Sequence, residues 1–437
     1  MLTNDMKRRI AFRRNADWDA MRKLLEDAGI LKTLAVAAEP QHDVERTLAV
    51  LALTAYHDIM KMPALLPTVQ PEHAPWCGFQ AGEVIDDHDI ALGYILEFFP
   101  ELLPSFKGLD DAEQRSVQFT QCQLCFNHGW LVQAEAPPGA IFKKFRQVLA
   151  ESKDQAASSR DIALYFVHWL TDLAGAEPTP LGGCEKFVIK FPLPVLNSFL
   201  RSFATVGRIA TETETEVMEG YLLQRWTEHT PSLGPPPTGP SAIAKMRLLC
   251  MAQMNAVPIL EAFDRLSEED QELLSVEMAL TGCEGQTYSP ELSPQDSPLM
   301  SQGPAFLIYY GPAFLQGLGS DNAVVRLQLL AQVYGVTRRL WPASPDQAGS
   351  CVTVRIDAIK GLSVSDMKEA EKKTEHRWAV VRKNGNEAFV DQVPMRYSSE
   401  DDMVAVSSDM TEDSCDVALL DLADAAVEML ARSVSKR

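Results

Sequence analysis

The chain has 437 residues, with 40 basic and 60 acidic side chains and a net charge of −20. That length suggests two or three domains, and the ordinary apolar content supports sizeable cores. The acidity disfavours duplex nucleic acid as a partner, because such binding needs a basic face, but it leaves a small anionic substrate open, since local charge can oppose the net sign.

From Val44 the apolar residues Val44, Leu48, Leu51, Ala55 and Ile59 recur at helical spacing. A second helix is expected from about Asp86-Asp87, acids suited to a helix N-terminus. It runs through Ile95, Leu96 and Phe99, until Pro100 and Pro104 break it. A third is expected from about Ala112 to Gln133, ended by APPG. The fourth, RDIALYFVHWLTDLAG, carries an amphipathic stripe through Ile162, Tyr165, Phe166, Trp169, Leu170 and Leu173 and closes at Gly175. Two more are expected between Pro194 and Trp226, so residues 1–230 read as one helical domain. Residues 231–240, within TPSLGPPPTGP, read as a proline-rich linker.

Beyond it, 241–345 is expected to be helical, with helices over about 241–280 and 322–341. Between them lie a polar, proline-bearing loop and two copies of GPAF, at Gly303–Phe306 and Gly311–Phe314. That echo is too short for a repeat architecture. Residues 346–396 form a small β-containing segment: CVTVRIDA at 351–358 alternates like a strand, and HRWAVVRKNGNEAFVDQV reads as a hairpin around Asn384-Gly385. Residues 397–416 are acidic and serine-rich, a tether, and 417–437 a short C-terminal helix. The expected fold is mainly α: a helical bundle, then a helical region with a small α+β C-terminal part.

No stretch approaches the roughly 20 apolar residues of a membrane span, and the basic N-terminus lacks the apolar core of a secretory signal. A soluble, cytoplasmic protein without a membrane partner is expected. The eight cysteines are scattered. Cys122 and Cys125 make one C-x-x-C with no second pair, which favours half-buried thiols on a helix over zinc.

Candidate chemistry concentrates in the first 230 residues. His57 and Asp58, His88, His128, and His168 and Asp172 fall on four expected helices that a bundle could bring to one point. Imidazole and carboxylate together suit Fe, Mn or Zn, and one carboxylate can bridge two cations about 4 Å apart. His57 and Asp58, about 100° apart on a helix, reach one site only if that helix lies alongside it. Lys61, one turn on, shares the face of Asp58. Asn127, beside His128, is placed for substrate contact or for helix capping. GGCEKFVIKFP offers Lys186 and Lys190 as an anion clamp but lacks phosphate-loop spacing. The G-x-S-x-G, dinucleotide-binding glycine and H-E-x-x-H patterns are missing, which removes support for those enzyme classes.

The segment HDIMK resembles the His-Asp-x-x-Lys signature of the HD-domain superfamily, a helical metal-binding fold. The later His88, His128 and Asp172 are similar in order to the ligands of its dinuclear members, which include HD-GYP-type phosphodiesterases and mixed-valence diiron oxygenases. The resemblance covers roughly residues 40–175. It implies two divalent ions (Fe, Mn or Zn), with His57, Asp58 and Asp172 on the first and Asp58, His88 and His128 on the second. Lys61 would be a catalytic side chain, while Asn127, Lys186 and Lys190, read from their own local sequence and not from the resemblance, are the candidate substrate-binding residues. The expected activity is a phosphohydrolase or phosphodiesterase acting on a small phosphorylated molecule. The alternatives are a diiron oxygenase, or a non-catalytic scaffold with a degenerate HD fold. Two departures stand out. The family carries a histidine on the helix upstream of the HD pair, whereas residues 27–32 read DAGILK. His42 would lie ~22 Å from His57 along one continuous helix, so His168, four residues before Asp172 on the same strip, is the expected replacement ligand or supporting partner. Met60 also stands where the signature commonly has glycine.

Overall fold

A computed structural model of the chain describes residues 3–32, 40–124, 126–151, 155–175, 193–315, 320–356, 378–384, 387–392 and 417–421. The fold is mainly α with a small α+β part. In chain order the helices are α1 (Asn4–Asn15), α2 (Trp18–Asp27), α3 (Val44–Tyr56), α4 (His88–Phe98), α5 (Pro104–Lys107), α6 (Asp111–Gln118), α7 (His128–Gln133), α8 (Pro138–Glu151), α9 (Gln155–Gly175), α10 (Leu193–Gly207), α11 (Glu214–Thr227), α12 (Ala242–Ala252), α13 (Ala256–Phe263), α14 (Glu268–Ala279), α15 (Gly311–Leu315) and α16 (Ser320–Leu340). The strands are β1 (Leu31–Lys32), β2 (Gln41–His42), β3 (Ala305–Tyr309), β4 (Cys351–Arg355), β5 (Trp378–Asn384), β6 (Glu387–Gln392) and β7 (Val417–Asp421). They divide between two compact units, one of residues 1–126 and 144–210, the other of 127–143 and 211–437.

The first unit is built around α3, α4 and α9. Leu53 and Tyr56 of α3 pack with Leu92, Tyr94 and Leu96 of α4 and with Phe106 and Val117 in one buried cluster. Each such side chain removed from water contributes roughly 1.5–3 kcal/mol. Asp43 and Asp87 cap α3 and α4 by accepting backbone N–H groups of the first turn. Arg46 of α3 is almost wholly buried. It donates to Glu113 Oε2 of α6 and Asp161 Oδ1 of α9, both at 2.8 Å, and to the Ala28 carbonyl that ends α2, also at 2.8 Å. A buried guanidinium needs such partners, and this one fixes α3 against three neighbours.

Two helices end earlier than periodicity predicts. The apolar spacing runs to Ile59, but α3 stops at Tyr56. His57 is its C-cap, and a 3-10 turn, Ile59–Lys61, follows. His57 keeps helical angles, but Asp58 leaves them at φ −96°, ψ 1°, and beyond the 3-10 turn Met62, ahead of Pro63, is extended at φ −85°, ψ 111°. The single helix expected over 112–133 is α6, a π turn (Phe119–Gln123) and the separate α7, whose N-cap Asn127 is extended at φ −109°, ψ 102°. Close packing goes with the π turn: a Cβ on Gly93 of α4 would stand 2.9 Å from Cys122 Sγ.

The second unit combines helices with a sheet of order β3-β4-β6-β5-β7. Strands β3, β4 and β6 are parallel. Strand β5 pairs antiparallel with β6 as the expected hairpin, Asn384 opposite Glu387, and β7 pairs antiparallel with β5. Helices α15 and α16 connect β3 to β4, the long crossover that parallel pairing requires. Strand β3, the run AFLIY that starts inside the first GPAF, was not expected. Residues 417–421, expected to open a helix, form β7 instead. VALLD is a short apolar run whose periodicity suits either structure, and the edge of β5 decides it. The expected tether at 397–416 lies outside the described residues, as does the chain after Asp421. The proline-rich stretch lies within this unit, where Trp226 Nε1 donates to the Pro235 carbonyl. Arg247, fully buried on α12, donates to the carbonyls of Ala134, Glu135 and Met278. Among the described residues no helix is long and apolar enough to cross a membrane.

Candidate metal centre

The end of α3 presents two polar side chains to α9 and α4. His57 Nδ1 lies 3.0 Å from the Thr54 carbonyl. A carbonyl only accepts, so Nδ1 carries the proton, and in the neutral ring Nε2 holds a lone pair. Nε2 faces Asp172 Oδ1 of α9 at 2.9 Å and Asp58 Oδ1 at 3.4 Å. The donor atoms of His57, Asp58 and Asp172 all lie within 4.8 Å of one another, and the three residues could hold a metal ion. Without a cation the group holds together as an ion pair. Burial works against charge on His57, but its hydrogen bond with Asp172 and the charges of Asp172 and Asp58 raise its pKa. The same hydrogen bond lowers the Asp172 pKa against the effect of burial.

The surrounding residues come from the same two helices and from α4. Lys61 Nζ lies 2.7 Å from Asp58 Oδ1 across the 3-10 turn, with more than half of its side chain exposed. His168 packs edge-on against His57, the ring centroids 4.8 Å apart and the planes at 78°. Its Nδ1 stands 3.4 Å from Thr54 Oγ1, a long contact, and Thr54 Oγ1 in turn meets Thr171 Oγ1 at 2.9 Å. Burial pushes the His168 pKa down to about 4, so the ring is neutral at pH 7. His88 begins α4. Its Nε2 is 4.0 Å from Asp58 Oδ1 and 3.5 Å from Asp89 Oδ1. Asp87, His88 and Asp89 form a second group with donor atoms close enough to hold an ion. Gln121, on the π turn, donates to Asp89 Oδ1 at 2.8 Å.

His57, Asp58, His88, His168, Asp172 and Lys61 are therefore neighbours within the first unit. His128 belongs to the second unit, where it begins α7 and is fully buried, its pKa pushed down to about 3. Asn127 acts as the N-cap of α7, accepting the Trp130 N–H at 3.3 Å, which matches the capping alternative for it. Lys186 and Lys190 lie outside the described residues. Sequence reasoning missed Asp89, Gln121 and Thr54. The string DDHD carried a signal for Asp89, but acids beside a helix start are accounted for by capping, and Asp87 does cap α4. No sequence pattern announces Gln121, because its aim depends on the π turn.

Comparison with family models, with curated proteins and with solved structures finds no match for this chain.

Proposed function

We propose that the first unit is a divalent-cation centre serving hydrolysis of a phosphoester in a small-molecule substrate, a phosphohydrolase or phosphodiesterase of the HD-domain kind. The observation that carries the reading is the orientation of His57. The Thr54 carbonyl accepts a hydrogen bond from its Nδ1–H, which leaves the Nε2 lone pair converging with two carboxylate oxygens. Three acceptors meeting at one point call for a proton or a cation, and an imidazole fixed through its far nitrogen is the usual arrangement of a metal-ligating histidine.

His57, Asp58 and Asp172 would hold the cation. When bound, divalent ions supply Lewis-acid polarisation of a phosphoryl oxygen and a water nucleophile at neutral pH. The chain's own contribution is orientation and charge. The Thr54 carbonyl sets the His57 tautomer, and the neutral His168 ring restrains His57 from the side. Lys61 balances Asp58 and, being exposed, is free to swing its ammonium toward a substrate phosphate. An anionic ester approaching Asp58, Asp172 and Asp89 is repelled unless cations offset them, so substrate binding should depend on metal.

Elemental analysis of the full chain beside Asp58→Ala tests the reading, together with phosphate release from a model ester in Mn²⁺, Mg²⁺ or Zn²⁺. Bound metal that is lost in Asp58→Ala, with metal-stimulated release, is the expected result. Metal-free wild-type protein, or equal metal in both, overturns it. Iron with a mixed-valence signal and no ester hydrolysis would point to the oxygenase chemistry instead.

A further inference from the structure

We propose that the second unit carries a binding site for a small hydroxy acid at the carboxyl ends of β3 and β4, with Arg355 taking the ligand's carboxylate and Glu135 its hydroxyl. The site shares no residue with the cation cluster of the first unit, and its failure would leave that cluster untouched.

Glu135 is fixed from two sides and left open at one atom. It follows α7, where Ala134 is left-handed at φ 50°. Arg247 holds this backbone, donating Nε to the Ala134 carbonyl and Nη2 to the Glu135 carbonyl, each at 2.9 Å. Glu135 is only 5% exposed. The backbone N–H groups of Tyr310 and Gly311 donate to its carboxyl, yet Oε2 is buried with no hydrogen-bond partner among the described residues. A buried oxygen in that state has lost its water without a replacement, and a ligand hydroxyl would supply the missing bond. Tyr310 is left-handed as well, at φ 73°, between β3 and α15. Strain of this kind in a residue other than glycine persists only where the surroundings impose it, and it gathers at ligand sites.

The position in the sheet supplies the other half of the site. Parallel sheets bind ligands beyond the carboxyl ends of their strands. Tyr309 and Arg355 end β3 and β4 and are paired in register, with Phe389 of β6 next in line. The Arg355 guanidinium stands 4.8 Å from the Tyr309 ring centroid and 5.9 Å from that of Phe389. Aromatic faces at this range orient a planar fork that suits a carboxylate. Tyr309 links the two halves. Its side chain hydrogen-bonds with Tyr310 and feels the charges of both Arg355 and Glu135, and the two tyrosine rings are 4.4 Å apart. A cation and a carboxyl thus flank one tyrosine, as the carboxylate and hydroxyl of one small molecule require. Burial pushes the Glu135 pKa up to about 7, against the two backbone N–H groups and Arg247. Both forms of the acid are therefore present at neutral pH. A hydroxyl suits each, accepting from the protonated carboxyl and donating to the ionised one, whereas a second anionic group would be repelled by the ionised form.

The test is esterification of Glu135 by a diazoacetamide in the native full-length protein, located by peptide mass spectrometry. The reagent takes the proton of a protonated carboxyl, releases dinitrogen and bonds to the carboxylate oxygen, so it marks an acid that a small molecule can reach. Glu135 should be labelled, and labelling should fall as pH rises through about 7. Lactate, the probe hydroxy acid, should slow labelling about tenfold at a tenfold excess over its dissociation constant. Propionate, which lacks the hydroxyl, should protect less, and Arg355→Gln should remove the protection by lactate, with urea unfolding to check that the variant is folded. A Glu135 that is labelled only in urea is a sealed structural carboxyl, which overturns the proposal. Labelling that lactate does not slow also overturns it, as do equal protection by propionate, protection by inorganic phosphate but not lactate, and lactate protection that survives Arg355→Gln.

Discussion

At the scale of single residues, the His57–Asp172 pair has a pH signature that separates an electrostatic role from a packing role. In cation-free protein His57 is raised from 6.5: burial opposes the shift, but the Asp172 hydrogen bond and the two carboxylate charges outweigh it. Asp172 is lowered from 3.8, chiefly by its hydrogen bond to His57. A raised imidazole pKa stabilises the fold fully below the unfolded value, and that contribution is lost as pH rises through the folded value. A lowered carboxyl pKa stabilises above the unfolded value and is lost as pH falls through the folded one. The two contributions overlap from about pH 4 to pH 6.5. His57→Gln and Asp172→Asn, both in EDTA, should therefore be less stable than wild type in that window, with a deficit that fades above neutral pH. Urea unfolding at several pH values measures this, and a deficit that stayed constant up to pH 9 would assign the loss to packing instead. Asp172 is substantially exposed, so solvent screening keeps the effect modest.

At the scale of elements, α4 and the π turn form one positioning unit, and Gly93 is the contact that lets them approach. A methyl group at Gly93 would meet Cys122 Sγ at 2.9 Å, an overpacking that typically costs about 1–3 kcal/mol. Gly93→Ala should destabilise the protein by about that much, whereas Gly93→Ala with Cys122→Ala should recover most of the loss. A double-mutant cycle reads the coupling, and simple additivity of the two changes would mean the contact is not what matters. The same elements mark how far the sequence could be read. His57, Asp58, His88 and Asp172 were legible as an ordered set because each stands out against an apolar helix, and the onset of α4 at the acids was legible from capping. The ends of α3 and α6 were not. Apolar spacing continues through Ile59 and through residues 119–123, and only the backbone turn at Asp58 and the π turn interrupt it. Arg46 was invisible for a related reason. An arginine near a helix start reads as surface, and its burial depends on Glu113 and Asp161, distant in sequence. β7 was misread because five apolar-rich residues carry no period long enough to exclude a helix.

At the scale of the whole molecule, the division into two units makes cation binding a regional event. His57, Asp58, His88, Asp89, His168 and Asp172 all belong to the first unit, and the parallel strands β3, β4 and β6 to the second. A ligand that binds only the folded state stabilises whatever must open to release it, by about 2.7 kcal/mol at a hundredfold excess over its dissociation constant. Local openings set amide exchange wherever they lie below global unfolding. Adding Mn²⁺ to EDTA-stripped protein should then slow exchange in the last turn of α3, the first turns of α4 and the part of α9 around His168 and Asp172, by up to about a hundredfold. Amides of β3 and β4 should exchange as before. The pattern across α4 carries extra weight. If only the position at His57 fills, protection should centre on α3 and α9, whereas an ion that also draws on His88 must restrain the start of α4. Protection confined to α3 and α9 would leave a single-ion centre. Slowing spread evenly over both units would show that the cation acts through global stability and not at this cluster.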